Sequence, residues 1–228
     1  MRVFAHRGNI NGPEPHLENT PERIFQSLKM GFDLETDIRK SQSGIFYISH
    51  DRSIAPADHL ATLHTRIWKQ FPSALIALNI KELGYEAALL DFLQVENVLE
   101  QLFMFDMEML EAVKGSTARL FRELNANIKL ASRISDQNEP VDQALAIEPS
   151  SIIWVDEFHK LWVKPEIIRQ LKDAGKSVYM ISPEIHGFSK NQRLHRWDDM
   201  LTWGVDGVCT DWPLEFSIHT GIRQPTRD

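Results

Sequence analysis

The sequence predicts an α/β chain folded as a single TIM (β/α)8 barrel. Three observations carry this. Eight short apolar runs alternate with longer amphipathic segments, the signature of βα repeats and a parallel sheet. Polar and charged residues recur at the carboxyl ends of those runs, where a barrel builds its site. No low-complexity linker or shift of composition divides the chain, so residues 1–228 read as one domain.

In chain order, the strands are expected at Val3-Phe4-Ala5, Phe32 to Ile38, Ala74 to Ile80, Leu102 to Phe105, Ile128 to Ser132, Ile152 to Val155, Ser177 to Ile181 and Gly207 to Cys209. Helices are expected near residues 21–30, 59–70, 84–97, 107–114, 140–147, 165–174, 193–203 and 213–219. Thr20-Pro21-Glu22 is a strong helix start: Thr20 caps, Pro21 suits the first turn and Glu22 suits the positive helix end. Gly31 closes that helix. Lys164-Pro165-Glu166 and Asp211-Trp212-Pro213 repeat the opening device. The fifth unit is the least defined, since 115–127 is compatible with helix, strand or loop.

Composition narrows the function. With 228 residues, 43% hydrophobic and 25% charged, the chain can bury a full core. A net charge of -7 argues against a nucleic-acid partner, because phosphate backbones recruit basic surfaces. Cys209 is the only cysteine, so a reducing cytoplasm is the expected compartment, and it reads as core. No signal-peptide pattern opens the sequence and no run suggests an integral membrane segment. GxGxxG, GxxxxGK[ST] and GxSxG are all absent, which removes the usual nucleotide cradles and the nucleophile elbow.

The chemistry concentrates in the first third. In Asp33-Leu34-Glu35-Thr36-Asp37-Ile38, alternation puts Leu34, Thr36 and Ile38 on one face and the three acids on the other. Apolar side chains pack outward on helices, so Glu35 and Asp37 face inward. Buried carboxylates call for a compensating charge, and a divalent cation is the usual remedy. His6 ends the first strand ahead of Arg7-Gly8; His50 follows the apolar stretch Ile45 to Ile48 and has Asp51 beside it. Two imidazoles, two acids and an arginine are the inventory for metal-assisted attack on a phosphate ester. On the third strand Asn79 and Lys81 alternate inward, and Lys81 requires an anion there, either a carboxylate or a substrate phosphate. Asp106, Arg133, Asp156 and Glu184 follow later strand ends and form a second tier of pocket candidates. The six tryptophans read as packing.

His6-Arg7-Gly8, Glu18-Asn19-Thr20, Glu35-x-Asp37 and His50-Asp51 resemble the signature of the glycerophosphodiester phosphodiesterase family. The stretch Gly204 to Pro213 resembles that family's last strand, while the middle of the chain matches in architecture more than in sequence. The resemblance implies hydrolysis of a small glycerophosphodiester to an alcohol and a phosphomonoester. It implies one divalent cation, Mg2+ or Ca2+ with Mn2+ a further option. His6 and His50 would be the acid–base pair, Glu35 and Asp37 metal ligands, and Arg7 with Lys81 the phosphate holders.

Two departures mark a divergent branch. The family's Glu-x-Lys reads Asn79-x-Lys81 here, which keeps a neutral oxygen ligand but removes a negative charge, so affinity should fall or an acid such as Glu184 must substitute. Fewer than thirty residues separate His50 from Asn79, too few for the small insertion subdomain the family often carries there. Two further readings stay open: a barrel that binds a phosphorylated polyol with little or no catalysis, and a lyase that stops at a cyclic phosphate.

Overall fold

The computed structural model describes residues 1–52, 59–147 and 150–227. Nine strands lie among the described residues: β1 (Arg2–His6), β2 (Asp33–Lys40), β3 (Phe46–Ile48), β4 (Ile76–Ile80), β5 (Leu102–Phe105), β6 (Ala131–Ile134), β7 (Ile152–Val155), β8 (Ser177–Ile181) and β9 (Gly207–Thr210). Eight run parallel in the order β5-β4-β2-β1-β9-β8-β7-β6. A parallel bridge between Met104 and Leu130 joins the two ends into a barrel. Among the described residues eight α-helices cover the outside: α1 (Pro21–Lys29), α2 (Ala61–Trp68), α3 (Glu86–Val95), α4 (Ser116–Leu124), α5 (Val141–Leu145), α6 (Pro165–Asp173), α7 (Lys190–Trp203) and α8 (Pro213–Thr220). The predicted barrel is therefore the observed fold.

Alternation along each strand builds two cores. Leu34, Ile38, Leu78 and Ile80 face outward onto α1, α2 and α3, and Val155, Val178 and Val208 face the helices of the second half. Inside the barrel Phe4, Phe103, Trp154 and Tyr179 interlock, with Phe4 6.1 Å from Phe103 and 5.1 Å from Tyr179 between ring centroids. Gly207 makes room for this plug, since a Cβ there would meet the Tyr179 ring at 2.9 Å and the Phe4 ring at 3.0 Å. Aromatic burial on this scale fills the lower barrel and leaves space only at the carboxyl ends of the strands.

Local signals explain the first helix. Thr20 accepts the Arg23 N–H as N-cap and Pro21 occupies the first turn. Several expectations need correction. The helix near 107–114 is only one 3-10 turn, Met107–Met109, and the helix of that unit is α4, inside the stretch without a definite prediction. Left-handed Asp106 (φ 72) breaks the chain out of β5 and left-handed Gly115 opens α4, so the connection is spent on turns. The fifth strand begins at Ala131 rather than Ile128, whose side chain packs into the outer core as the chain approaches the barrel. An extra strand, β3, pairs antiparallel with the overlong end of β2 through Ile38–Ile48 and Lys40–Phe46. Between His50 and Asn79 the described residues hold α2 and Leu60, which bridges back antiparallel to Tyr47, with no subdomain among them. No described helix is long and apolar enough to cross a membrane.

Candidate active site

A cavity of about 180 Å3 opens at the carboxyl ends of the strands. His6, Arg7, Glu35, Asp37, His50, Asn79 and Lys81 line one side; Asp106, Arg133, Asp156, Phe158 and His186 are on the other. The structure thus gathers every first-rank residue of the sequence reading. Of the second tier, Asp106, Arg133 and Asp156 line the cavity and Glu184 does not. Its carboxylate accepts from Ser182, Thr210 and the Asp211 N–H, a closed set of bonds that turns it away from the cavity. It therefore neither lines the pocket nor stands in for the missing third acid.

β1 delivers His6 and then turns sharply: Arg7 has φ 50 and Gly8 φ 80. A left-handed arginine is strained, and three groups hold it. Its N–H meets the Glu35 carbonyl at 2.9 Å, its Nη1 donates to Glu18 at 2.9 Å, and its Nε lies 3.3 Å from Asp37. The His6 ring is fixed by Asp211, 2.7 Å from Nδ1, and its Nε2 lies 3.8 Å from Glu35. Asp211 also accepts from Asn9 at 2.8 Å. Burial opposes a charge on His6, but the Asp211 hydrogen bond and the charges of Asp211 and Glu35 outweigh it, raising the imidazole pKa.

On β2 the two inward acids differ. Asp37 takes Lys81 at 3.3 Å, Arg7, and the Asn19 amide at 2.9 Å, and these overcome its burial to hold its pKa low. Burial and the neighbouring Asp37 push Glu35 up to about 7. The third acid, Asp33, lies at the opposite end of β2, buried between Arg2 at 2.8 Å and Arg227 at 2.9 Å, and belongs to the barrel floor. Lys81 finds its anion in Asp37. On β4, Asn79 donates to Asp106 at 2.9 Å, which leaves its buried Oδ1 without a partner.

That orphaned oxygen is the observation that tests the metal expectation. Among the described residues no cluster of three or more His, Cys, Asp or Glu could hold a metal ion. Two carboxylates and one amide oxygen remain. These are hard oxygen donors, and they fit a hard divalent cation that takes its other ligands from water or substrate. His50 stands at the mouth. Its ring meets Asp51 at 2.9 Å, Arg39 holds its backbone carbonyl at 2.9 and 2.6 Å, and burial with nearby Arg7 lowers its pKa.

Across the cavity, Arg133 from β6 lies buried between Asp106 and Asp156, which neutralise it. Asp156 also receives His186 Nε2 at 2.6 Å, and Phe158 covers the guanidinium at 4.7 Å. Sequence reasoning missed Asp211, Phe158 and the role of His186. Asp211 was read as part of a helix start, yet Trp212 is the N-cap and the Asp211 side chain turns back to β1. Its place immediately after the last strand was the available signal.

No family model matches the sequence, and no curated protein matches it. Solved structures do. A glycerophosphoryl diester phosphodiesterase from Parabacteroides distasonis superposes with TM-score 0.73 at 16% identity, over 98% of this chain and 87% of its own. A phosphodiesterase from Oleispira antarctica, solved with the product sn-glycerol-3-phosphate, gives 0.68 at 16% identity over 97% of each chain. A glycerophosphodiester phosphodiesterase from Thermotoga maritima gives 0.63 at 17% identity over 97% of each. At such identities the likeness establishes a shared barrel fold over nearly the whole chain.

Proposed function

We propose that this barrel is a glycerophosphodiester phosphodiesterase-type hydrolase, cleaving a small phosphodiester to an alcohol and a phosphomonoester. The observation that carries the reading is the His6–Asp211 pair, set against Glu35 at the edge of a cavity that also holds Arg7 and Lys81. A binding pocket needs no carboxylate-oriented imidazole; proton transfer does. Glu35, Asp37 and Asn79 Oδ1 would hold one divalent cation, Mg2+, Ca2+ or Mn2+, which when bound polarises phosphoryl oxygens and offsets their charge.

The chain's own residues do the rest. Arg7 and Lys81 supply fixed positive charge for the phosphate, preorganised by Asp37 between them. His6 exchanges one proton, held in orientation by Asp211, and a second imidazole exchanges the other; the sequence reading places His50 there. The small cavity suits a phosphate with a short alcohol arm rather than a large headgroup. The sn-glycerol-3-phosphate of the Oleispira antarctica protein is of that size and supports the same product class here. The single buried Cys209 fits a cytoplasmic setting.

The test is a panel of glycerophosphodiesters assayed for released phosphomonoester with Mg2+, Ca2+ or Mn2+, and again with EDTA. Metal-dependent turnover that disappears in His6→Ala supports the reading. Folded protein that is silent on every diester and metal refutes it.

A further inference from the structure

The connection from β5 to α4 wears its apolar residues on the outside. Its charged side chains, Glu108, Glu111 and Lys114, fall three residues apart, and all three turn toward the protein. Glu108 is buried. Glu111 turns back to cap α4, accepting the Gly115 N–H, the Ser116 hydroxyl at 2.9 Å and the Thr117 N–H at 2.7 Å. Lys114 donates to the Glu108 carbonyl. The residues between them face solvent: Met109 is 47% exposed, Leu110 44% and Val113 65%. A loop that only connected two elements would sort the other way, charges outward and hydrophobic groups inward, because apolar area left in water is costly. Single exposed hydrophobics are ordinary; three within five residues mark a contact surface.

Its neighbours say what it meets. Met109 also lines the cavity, so the apolar loop borders the mouth. Ile45, 47% exposed, stands on the same flank, at the turn from β2 into β3, and β4 alone separates β2 from β5 in the sheet. Cations lie at the base of both projections. Arg119 is exposed, and its Nη2 donates to the Lys114 carbonyl at 3.3 Å. Lys40 Nζ lies 5.8 Å from the Phe46 ring centroid and 5.9 Å from that of Tyr85. In a chain of net charge -7, apolar tips backed by cations are a local reversal. They match a bilayer in section, where hydrocarbon lies beneath anionic headgroups. A second copy of the chain fits less well, since it would bring the same cations to the contact and seal the cavity that Met109 borders.

We propose that the loop at residues 109–113, with Ile45 beside it, docks the barrel on an anionic lipid surface and holds the cavity mouth at headgroup level. The docking is a property of this face and stands apart from the reaction in the cavity. Its consequence is one of supply: a phosphodiester anchored in a membrane by a hydrocarbon chain reaches the cavity without leaving the bilayer.

Co-sedimentation with phosphatidylcholine vesicles, with and without phosphatidylglycerol, tests this without reference to turnover. Wild type should bind the mixed vesicles, and bind them more weakly at high salt or once phosphatidylglycerol is left out. The double variant Leu110→Ser with Val113→Ser should lose about tenfold or more in affinity. Arg119→Gln should lose about fivefold on mixed vesicles and little on phosphatidylcholine alone. Ile218→Ser removes an exposed hydrophobic of α8, near the barrel floor, and should bind as wild type does. All these positions are exposed, and unchanged melting temperatures show that the variants are folded. Should the double variant melt early, amide exchange of wild type at residues 109–113 decides: slowing by vesicles supports docking and unchanged exchange overturns it. Wild type that ignores both vesicles, a double variant that binds like wild type, or an equal loss in Ile218→Ser also overturns the proposal. So does a wild-type dimer that the double variant makes monomeric, which would assign the face to a second copy. Protein that ignores vesicles yet hydrolyses the diester panel loses this inference alone; protein that docks but turns nothing over loses only the phosphodiesterase reading.

Discussion

His6 Nδ1 and Asp211 Oδ1 lie 2.7 Å apart and join the end of the first strand to the residue after the last, 205 positions away. The bond fixes the ring so that Nε2 faces Glu35. Asp211→Asn should keep the shape but remove the charge that favours imidazolium. A fall of about 100-fold in kcat is expected, with little change in KM. Asp211 also raises the His6 pKa, so in the variant that pKa drops. Where His6 acts as base, the acid limb of the pH profile moves to lower pH. A lower plateau with an unmoved limb would show that Asp211 does not act through His6.

Glu35 carries a cost in the metal-free protein. Burial and Asp37 push its pKa up to about 7, above the value in the unfolded chain. Ionising it is therefore harder folded than unfolded, and stability falls as pH rises from the unfolded pKa, about 4.3, to the folded one. Glu35→Gln should stabilise the metal-free protein by about 1–3 kcal/mol at pH 8 and by little at pH 4. The same change should abolish stabilisation by added Mg2+, Ca2+ or Mn2+. Melting curves with and without metal at both pH values read both effects. A variant that still gains stability from metal would remove Glu35 from the ligand set.

Much of this was legible because period-2 alternation reads directly onto barrel faces. Leu34, Thr36 and Ile38 on one side, and Leu78 with Ile80 against Asn79 with Lys81, predict orientation without any knowledge of partners. What alternation cannot supply is who meets whom across the barrel. The His6–Asp211 and His186–Asp156 contacts span 205 and 30 positions and depend on strand order and turn geometry. Glu184 illustrates the converse: a polar residue at a strand end was bonded by Ser182 and Thr210 before it could reach the pocket. The stretch 115–127 was illegible for a local reason, since left-handed Asp106 and Gly115 break the helical period that would have announced α4.

Asp136 organises the loop that carries Phe158. Its carboxylate accepts the Phe158, His159 and Lys160 N–H groups at 2.8, 2.9 and 3.2 Å. Burial works against its charge, but these bonds prevail and lower its pKa. A lowered carboxylate stabilises above the unfolded pKa, and that contribution is lost as pH falls through the folded value. Asp136→Ala should cost about 1–2 kcal/mol near pH 7, with the deficit narrowing below about pH 4. It should also raise KM, because Phe158 and the His186 ring stacked on it lose their support. A deficit equally large at pH 3 would mean that packing rather than charge is responsible.

Arg133 closes the weakest seam of the barrel. β4 and β5 pair at four positions, whereas β5 meets the other end of the sheet through one bridge, Met104 to Leu130 just before β6, with the Met104 N–H 3.1 Å from the Lys129 carbonyl. Above that thin contact, the Arg133 guanidinium ties Asp106 after β5 to Asp156 after β7, so a buried ion triad spans the gap that backbone bonds leave. Arg133→Met keeps the side chain's bulk but strands two buried carboxylates. The expected loss is about 3–5 kcal/mol, the cost of removing one partner from a buried charge pair. The loss should be felt first at the seam: amide exchange at Met104 and along Ala131–Ile134 should accelerate more than at Val3–Ala5, which are held between β2 and β9. Uniform acceleration across all strands would show instead that the seam and the rest of the barrel open as one unit.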